Sequence, residues 1–320
     1  MARDVESFAM STRKGRGMPM LRRRTATRLA FGALIVLVSG TAWFRAPQRA
    51  SSATLPTGFY LDVGGSSSLG YEPTGQLTKD GALLDKPSNN GYANVVVRLE
   101  ASKIDLTLTK MGCPGETVVT LLGLKDHCYK LPTTQMSRAQ NFLNAHHDDT
   151  GVVSIDIGFN DVQPCIETAQ VEVGCVDEAK ELVNADLPKV VAKLKSAAGP
   201  NVHFVGMEYP DPFLARFLLS SDERSYATQT LNVITELNQE LTTVYRKAGV
   251  AVADVPAAFL NSDSTSTRIS GGEIVPRNVD QVCAYTFMCR AYPWGPDDHP
   301  NDIGYVAIAK EIVRVLPSSW

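Results

Sequence analysis

The sequence predicts an α/β domain built on a doubly wound parallel sheet with helices on both faces. Three observations carry this. Apolar runs of strand length alternate with helix-patterned stretches, the sign of βαβ units. The 44% apolar content of the 320 residues is ample for a packed core. Beyond residue 50 there is neither an internal repeat nor a second compositional regime, so residues 51–320 read as one domain.

Residues 1–50 stand apart. They hold ten Lys/Arg and two Asp/Glu, including Arg22, Arg23, Arg24 and Arg28 just before the uncharged stretch Leu29–Phe44. Sixteen uncharged, mostly apolar residues suit a signal-peptide core better than a bilayer span, which needs roughly 20. The basic lead-in is long, which leaves Met18 or Met20 open as the true start. Gly40 and Ala42 offer small residues for cleavage, though no clean A-x-A stands there. A cleaved signal peptide and an uncleaved anchor over 29–44 both stay open, and both place the body outside the cytoplasm. Arg45–Thr57 reads as a polar Pro/Ser/Ala tether.

Without the leader the formal charge of −3 becomes 21 basic against 32 acidic residues. So acidic a body repels phosphate, which excludes a nucleic-acid partner. Membrane contact is expected only through residues 29–44, if they are retained.

The predicted strands are Phe59–Val63, Ile104–Thr109, Val152–Ile157, Val202–Met207 and Val250–Val255. The predicted helices are Tyr92–Ala101, Glu116–Leu122, Arg138–His146, Asp177–Ala197, Ser225–Lys247 and Asp302–Leu316. Glu72–Asn90 and Asn261–Asn278 read as polar loops, the second either a lid over a site or a surface insertion. Six cysteines form three close pairs: Cys113 and Cys128, Cys165 and Cys175, Cys283 and Cys289. Spacing alone does not choose among fifteen pairings, and we expect each cysteine to bond its neighbour. No Cys/His spacing suggests zinc, and disulfides suit an exported chain.

In open α/β sheets ligands sit at the carboxyl ends of the strands, so the chemistry is sought there. The first strand ends in V-G-G-S-S-S-L-G (63–70) and the second is followed by K-M-G-C-P-G-E-T (110–117). The third ends in D-I-G-F-N-D (156–161), and W-G-P-D-D-H-P-N-D (294–302) comes late. In order and placement these four blocks resemble the SGNH, or GDSL-type, hydrolases over nearly the whole body, from Tyr60 to Leu316. The resemblance implies a three-layer α/β/α flavodoxin-like fold and a serine ester hydrolase that needs no metal or organic cofactor.

Carried over residue by residue, the resemblance implies that Ser66 is the nucleophile and His299 its general base. Gly64 and Gly65 permit the sharp turn before Ser66. The oxyanion hole would be the N–H groups of Ser66 and Gly115 with the side-chain amide of Asn160; Gly112 is the alternative to Gly115. Asp161 would brace that loop, and Asn301 or Asp302 would cap the last helix. Two departures stand out. Gly65 occupies the place of the family's usual Asp. Pro296 occupies the place, three before the histidine, where the family carries its acid. Asp297, Asp298 or a main-chain carbonyl near Trp294 therefore remain as the group orienting His299. His127, His146, His147 and His203 lack the matching context, and the run His146-His147-Asp148-Asp149 reads as a solvated helix end sooner than a metal site.

The expected substrate is a small-molecule or lipid ester, with an acylated glycan as the alternative. A non-catalytic glycan-binding module on the same fold is a third reading. Phe287, Met288, Tyr292 and Trp294 are either pocket lining or core.

Overall fold

The computed structural model describes residues 54–123, 128–268 and 272–320. The apolar stretch 29–44, the division near residue 50 and His127 lie outside them. Among the described residues no helix is long and apolar enough to cross a membrane.

Among the described residues nine strands form, β1 (Thr57–Gly64), β2 (Tyr71–Leu77), β3 (Leu83–Pro87), β4 (Asp105–Lys110), β5 (Gly151–Asp156), β6 (Val202–Met207), β7 (Ala251–Ala253), β8 (Ser266–Arg268) and β9 (Ile274–Pro276). Five of them make one parallel sheet in the order β4-β1-β5-β6-β7. Strands buried on both faces must be apolar almost throughout, and every residue of β5 is buried. The two-residue period of β1 sends Phe59, Leu61 and Val63 to one core and Tyr60 to the other. Fully burying a side chain such as Leu61 or Ile155 contributes about 1.5–3 kcal/mol.

Among the described residues ten α-helices flank the sheets, α1 (Ser66–Leu69), α2 (Tyr92–Glu100), α3 (Val118–Leu121), α4 (Gln135–Ala145), α5 (Phe159–Ile166), α6 (Val173–Ala197), α7 (Ser221–Lys247), α8 (Val255–Ala258), α9 (Arg277–Tyr285) and α10 (Asp302–Val315). The first core packs chiefly under α4, α6 and α7, the second under α2 and α10. Helix starts carry the expected caps. Thr134 Oγ1 accepts from Ser137 N at 3.0 Å, and Ser220 Oγ from Glu223 N at 3.2 Å. This is the predicted three-layer arrangement. The chain steps from β1 to β4 on one side and then to β5 on the other, so the sheet's switch point lies between β1 and β5.

Two stretches read as loops hold structure. Residues 72–90 contain most of the antiparallel β2–β3 hairpin, and residues 261–278 contain β8 and β9. Helices α5 and α9 were not expected; Pro164 inside α5 hides it from periodicity. The three neighbouring cysteine pairs are bonded, Cys113–Cys128, Cys165–Cys175 and Cys283–Cys289.

Candidate active site

The turn after β1 is built for glycine. Gly64 has φ 146°, and a Cβ there would come within 2.0 Å of the Asp156 main-chain oxygen. That same oxygen accepts from Gly65 N at 3.0 Å, so the ends of β1 and β5 meet with no room for a side chain. The chain then turns into α1, whose first residue is Ser66. Gln135, fully buried at the start of α4, staples this turn: it accepts from Gly64 N at 2.7 Å and donates to Gly64 O at 3.2 Å and Glu116 Oε2 at 2.8 Å.

Of the three serines, Ser66 meets the histidine. His299 Nε2 lies 2.8 Å from Ser66 Oγ, while the buried Ser68 hydroxyl donates to Gly65 O at 2.7 Å. On the far side of the ring, Nδ1 lies 2.9 Å from Asp297 Oδ1, which also accepts from the His299 main-chain N at 3.0 Å. Of the arrangements left open by Pro296, the Asp297 one is brought together; Asp298 Oδ1 stands off at 3.8 Å. Asn301 fixes the loop from below. Its side chain accepts from Ile303 N at 3.0 Å and Gly304 N at 3.2 Å, capping α10, and donates to Ala284 O at 2.9 Å.

Burial alone would lower the proton affinity of His299. The hydrogen bond that Nδ1–H donates to Asp297, then the charges of Asp298, Asp297 and Asp85, outweigh it and hold the pKa at about 9. For Asp297, burial works upward, but the bond and charge of His299 more than offset it and keep its carboxyl below the usual range. Asp156, buried beneath the turn, is raised to about 6 by desolvation although Tyr209 Oη donates to it at 2.8 Å.

Facing Ser66 are the other predicted groups. Gly115 adopts φ 73° and lines the cleft. Gly112 does not line it; a Cβ there would come within 1.9 Å of Ser68 Oγ, so that glycine serves close packing. Neither Ser66 N–H nor Gly115 N–H has an acceptor among the described residues. Asn160 Nδ2 donates to Glu116 O at 2.9 Å, which leaves its second hydrogen for the cleft. Asp161 braces the loop by accepting from Val118 N at 3.1 Å, and burial raises its pKa to about 7.

Gly65 now has a reason. A Cβ on it would lie 2.8 Å from Asn160 Nδ2. Gly65→Ala is therefore expected to displace the Asn160 amide and lower kcat toward the roughly 10²–10³-fold loss of a missing oxyanion donor. Because the displaced atom is the end of a side chain, Tm should hold; an unchanged kcat in the folded variant would contradict the placement.

The cleft has a volume of about 280 Å³. Ile157, Phe159, Met207, Val255 and Ile308 form its apolar wall, and Asp85, Asp156, Glu208 and Asp298 are its acids; among the described residues no Lys or Arg lines it. A second hollow of about 660 Å³, walled by Phe213, Leu218, Leu219 and Met288, meets it at Asp298. Of the four residues near the histidine left as lining or core, only Met288 lines either space. Tyr292 and Trp294 are exposed, and Trp294 packs over Gly75 on β2. No described residue of 261–278 lines the cleft. His146 bonds Asp149 at 2.7 Å and stacks on Phe142, and His147 contacts Asp148 at 3.4 Å, outside the cleft. The close group Asp85, Asp297 and His299, within 4.8 Å of one another, coincides with the histidine's own partners. Asp85, Gln135 and Tyr71, whose ring centroid is 6.0 Å from that of His299, were not singled out from sequence.

Known proteins agree with this architecture. The crystal structure of phospholipase A1 from Streptomyces albidoflavus NA297 superposes with a TM-score of 0.52 at 17% identity, covering 81% of this chain and 99% of that one. An extracellular lipase from Streptomyces rimosus gives 0.51 at 17% identity, covering 81% and 100%. At that identity the likeness speaks for the fold. No curated protein sequence matches. The family model for GDSL-like lipases and acylhydrolases matches residues 60–312, well over half of the sequence. The chain belongs to the GDSL-like lipase/acylhydrolase family.

Proposed function

We propose that this enzyme hydrolyses carboxylic esters through an acyl-enzyme on Ser66. The observation that carries the reading is the line of two short contacts, Ser66 Oγ to His299 Nε2 at 2.8 Å and Nδ1 to Asp297 at 2.9 Å. Ser66 Oγ attacks the ester carbon as its proton passes to Nε2, and the carbonyl π pair moves onto oxygen. Ser66 N–H, Gly115 N–H and the Asn160 amide receive that charge. The intermediate collapses, the bond between the former carbonyl carbon and the alkoxy oxygen breaks, and Nε2 gives the proton to that oxygen as the alcohol leaves. Water, activated by the same imidazole, then cleaves the acyl-enzyme to acid. Asp297 holds the ring tautomer and steadies the imidazolium. These steps need no metal or organic cofactor.

An uncharged ester with an apolar acyl chain fits the cleft best: its wall is apolar, its ionisable groups are acidic apart from His299, and the second hollow offers further apolar surface. This favours an esterase or lipase over a glycan deacylase. Three disulfides, with the basic-then-apolar leader over residues 22–44, support export of the body.

A fluorophosphonate probe should label the native protein, with the adduct mapped to Ser66, and the unlabelled protein should hydrolyse p-nitrophenyl butyrate faster than it deacetylates xylo-oligosaccharides. Glycan binding without labelling would replace the enzyme by a binding module; faster deacetylation would reverse the substrate preference.

A further inference from the structure

We infer that Asp85 is a positioning residue for the reaction, a second carboxylate from the β2–β3 hairpin that acts through His299 by sharing the charge its ring acquires. This rests on the ester-hydrolase reading above and adds a group that none of the four sequence blocks contains.

The hairpin is held where it delivers Asp85 to the ring. Tyr305 Oη donates to Tyr71 O at 2.7 Å at the start of β2, and Thr74 Oγ1 donates to Leu84 O at 2.7 Å across the hairpin. Just beyond β3, Lys110 Nζ donates to Ser88 O and to Leu69 O, each at 2.9 Å. Asp85 pairs with Pro73 across the ladder. Its side chain lines the cleft, with Oδ2 4.0 Å from His299 Nδ1. Its Oδ1 is buried and has no hydrogen-bond partner among the described residues. The hairpin thus gives the carboxylate no bond of its own to satisfy, and its nearest opposite charge is the imidazolium.

Three carboxylates therefore surround one imidazole nitrogen, at 2.9, 3.8 and 4.0 Å. None of them forms an ion pair with a Lys or Arg among the described residues. Other groups face the same ring. Glu72 on β2, raised to about 7 by burial and then by its contact with Asp302 at the start of α10, and Asp156 on β5 both lie within electrostatic reach of it. Glu167, at the C-terminal end of α5, faces Asp297 and Asp298. When Ser66 gives up its proton, the positive charge formed on His299 is spread over this ring of acids. Asp85 is the only one of the three nearest that comes from outside the histidine's own loop. Burial first, and then the charge of Asp297, raises Asp85 to about 6, while the charge of His299 pulls it back down.

Neutral His299 is the form that accepts the Ser66 proton. The acid limb of kcat/KM should then have its midpoint near the His299 pKa of about 9. Taking away a nearby negative charge makes the imidazolium easier to deprotonate, so the limb moves to lower pH. For Asp85→Asn a downward shift of about one pH unit is expected, from the usual effect of a charge within 4–6 Å. Asp85→Ser, smaller and equally uncharged, should give the same displacement should the amide variant not fold. Asp85→Glu, which keeps the charge, should return the limb toward its wild-type place.

The measurement is kcat/KM for p-nitrophenyl butyrate from pH 5 to 10.5, corrected for spontaneous hydrolysis, on the native chain and the three variants. A limb that stays put in the folded uncharged variants, with only Tm or overall rate reduced, overturns the inference and leaves Asp85 a structural residue of the hairpin. A wild-type protein with no turnover of any ester sinks the hydrolase reading itself, a different result from an unmoved limb.

Discussion

Ser66→Ala is expected to lower kcat for p-nitrophenyl butyrate by about 10⁶-fold, the scale reached when the nucleophile of a serine hydrolase is removed. The hydroxyl is the only atom deleted. It meets His299 Nε2 at 2.8 Å, so folding should be almost untouched, and Tm and the three disulfides serve as the control. A His299→Ala, Ser66→Ala double variant should be little slower than either single one, because nucleophile and base act as a unit and their losses do not add. Retained turnover in the folded serine variant would move the nucleophile to Ser67 or abandon covalent catalysis.

Asn160→Ala should cost about 10²–10³-fold in kcat with KM little changed, since an oxyanion donor binds charge that exists only in the transition state. The size of the loss should lie toward the upper end. The same amide holds Glu116 O at 2.9 Å, so its removal also frees the loop that presents Gly115. Single-turnover acylation separates the two effects: a lost donor slows acylation at saturating substrate, whereas a displaced loop also raises KM. A variant with KM raised and kcat intact would place Asn160 outside the oxyanion hole.

The parallel sheet was legible because strands buried on both faces must be apolar runs, and Val152, Val153 and Ile155 announce themselves as such. That Ser66, Asn160 and His299 converge on one cleft was legible through glycine- and proline-marked blocks at strand ends, where the backbone demands particular residues. The hairpin was not. Its residues are mostly half-exposed and polar, with Pro73 and Gly75 interrupting any alternation, so nothing marked Asp85 off from other surface acids. Gln135 was equally silent. Its value lies in reaching Gly64, 71 positions earlier in the chain, and long-range packing leaves no local pattern. Asp297 sat between these extremes: the loop after Pro296 decides whether an acid two before the histidine can reach Nδ1, and spacing alone does not disclose a loop's path. Gly65 looked like a lost residue until Asn160 was seen standing in the space its Cβ would take.

Among the described residues the cleft wall carries Asp85, Asp156, Glu208 and Asp298 and no lysine or arginine. In the proposed reaction the second product is a carboxylic acid, which ionises as it forms. Born among like charges, with His299 the one cation in the described lining, that anion is pushed toward solvent as soon as the imidazole gives up its proton. Deacylation would thereby be drawn forward, and the enzyme would tolerate a high concentration of its own acid product.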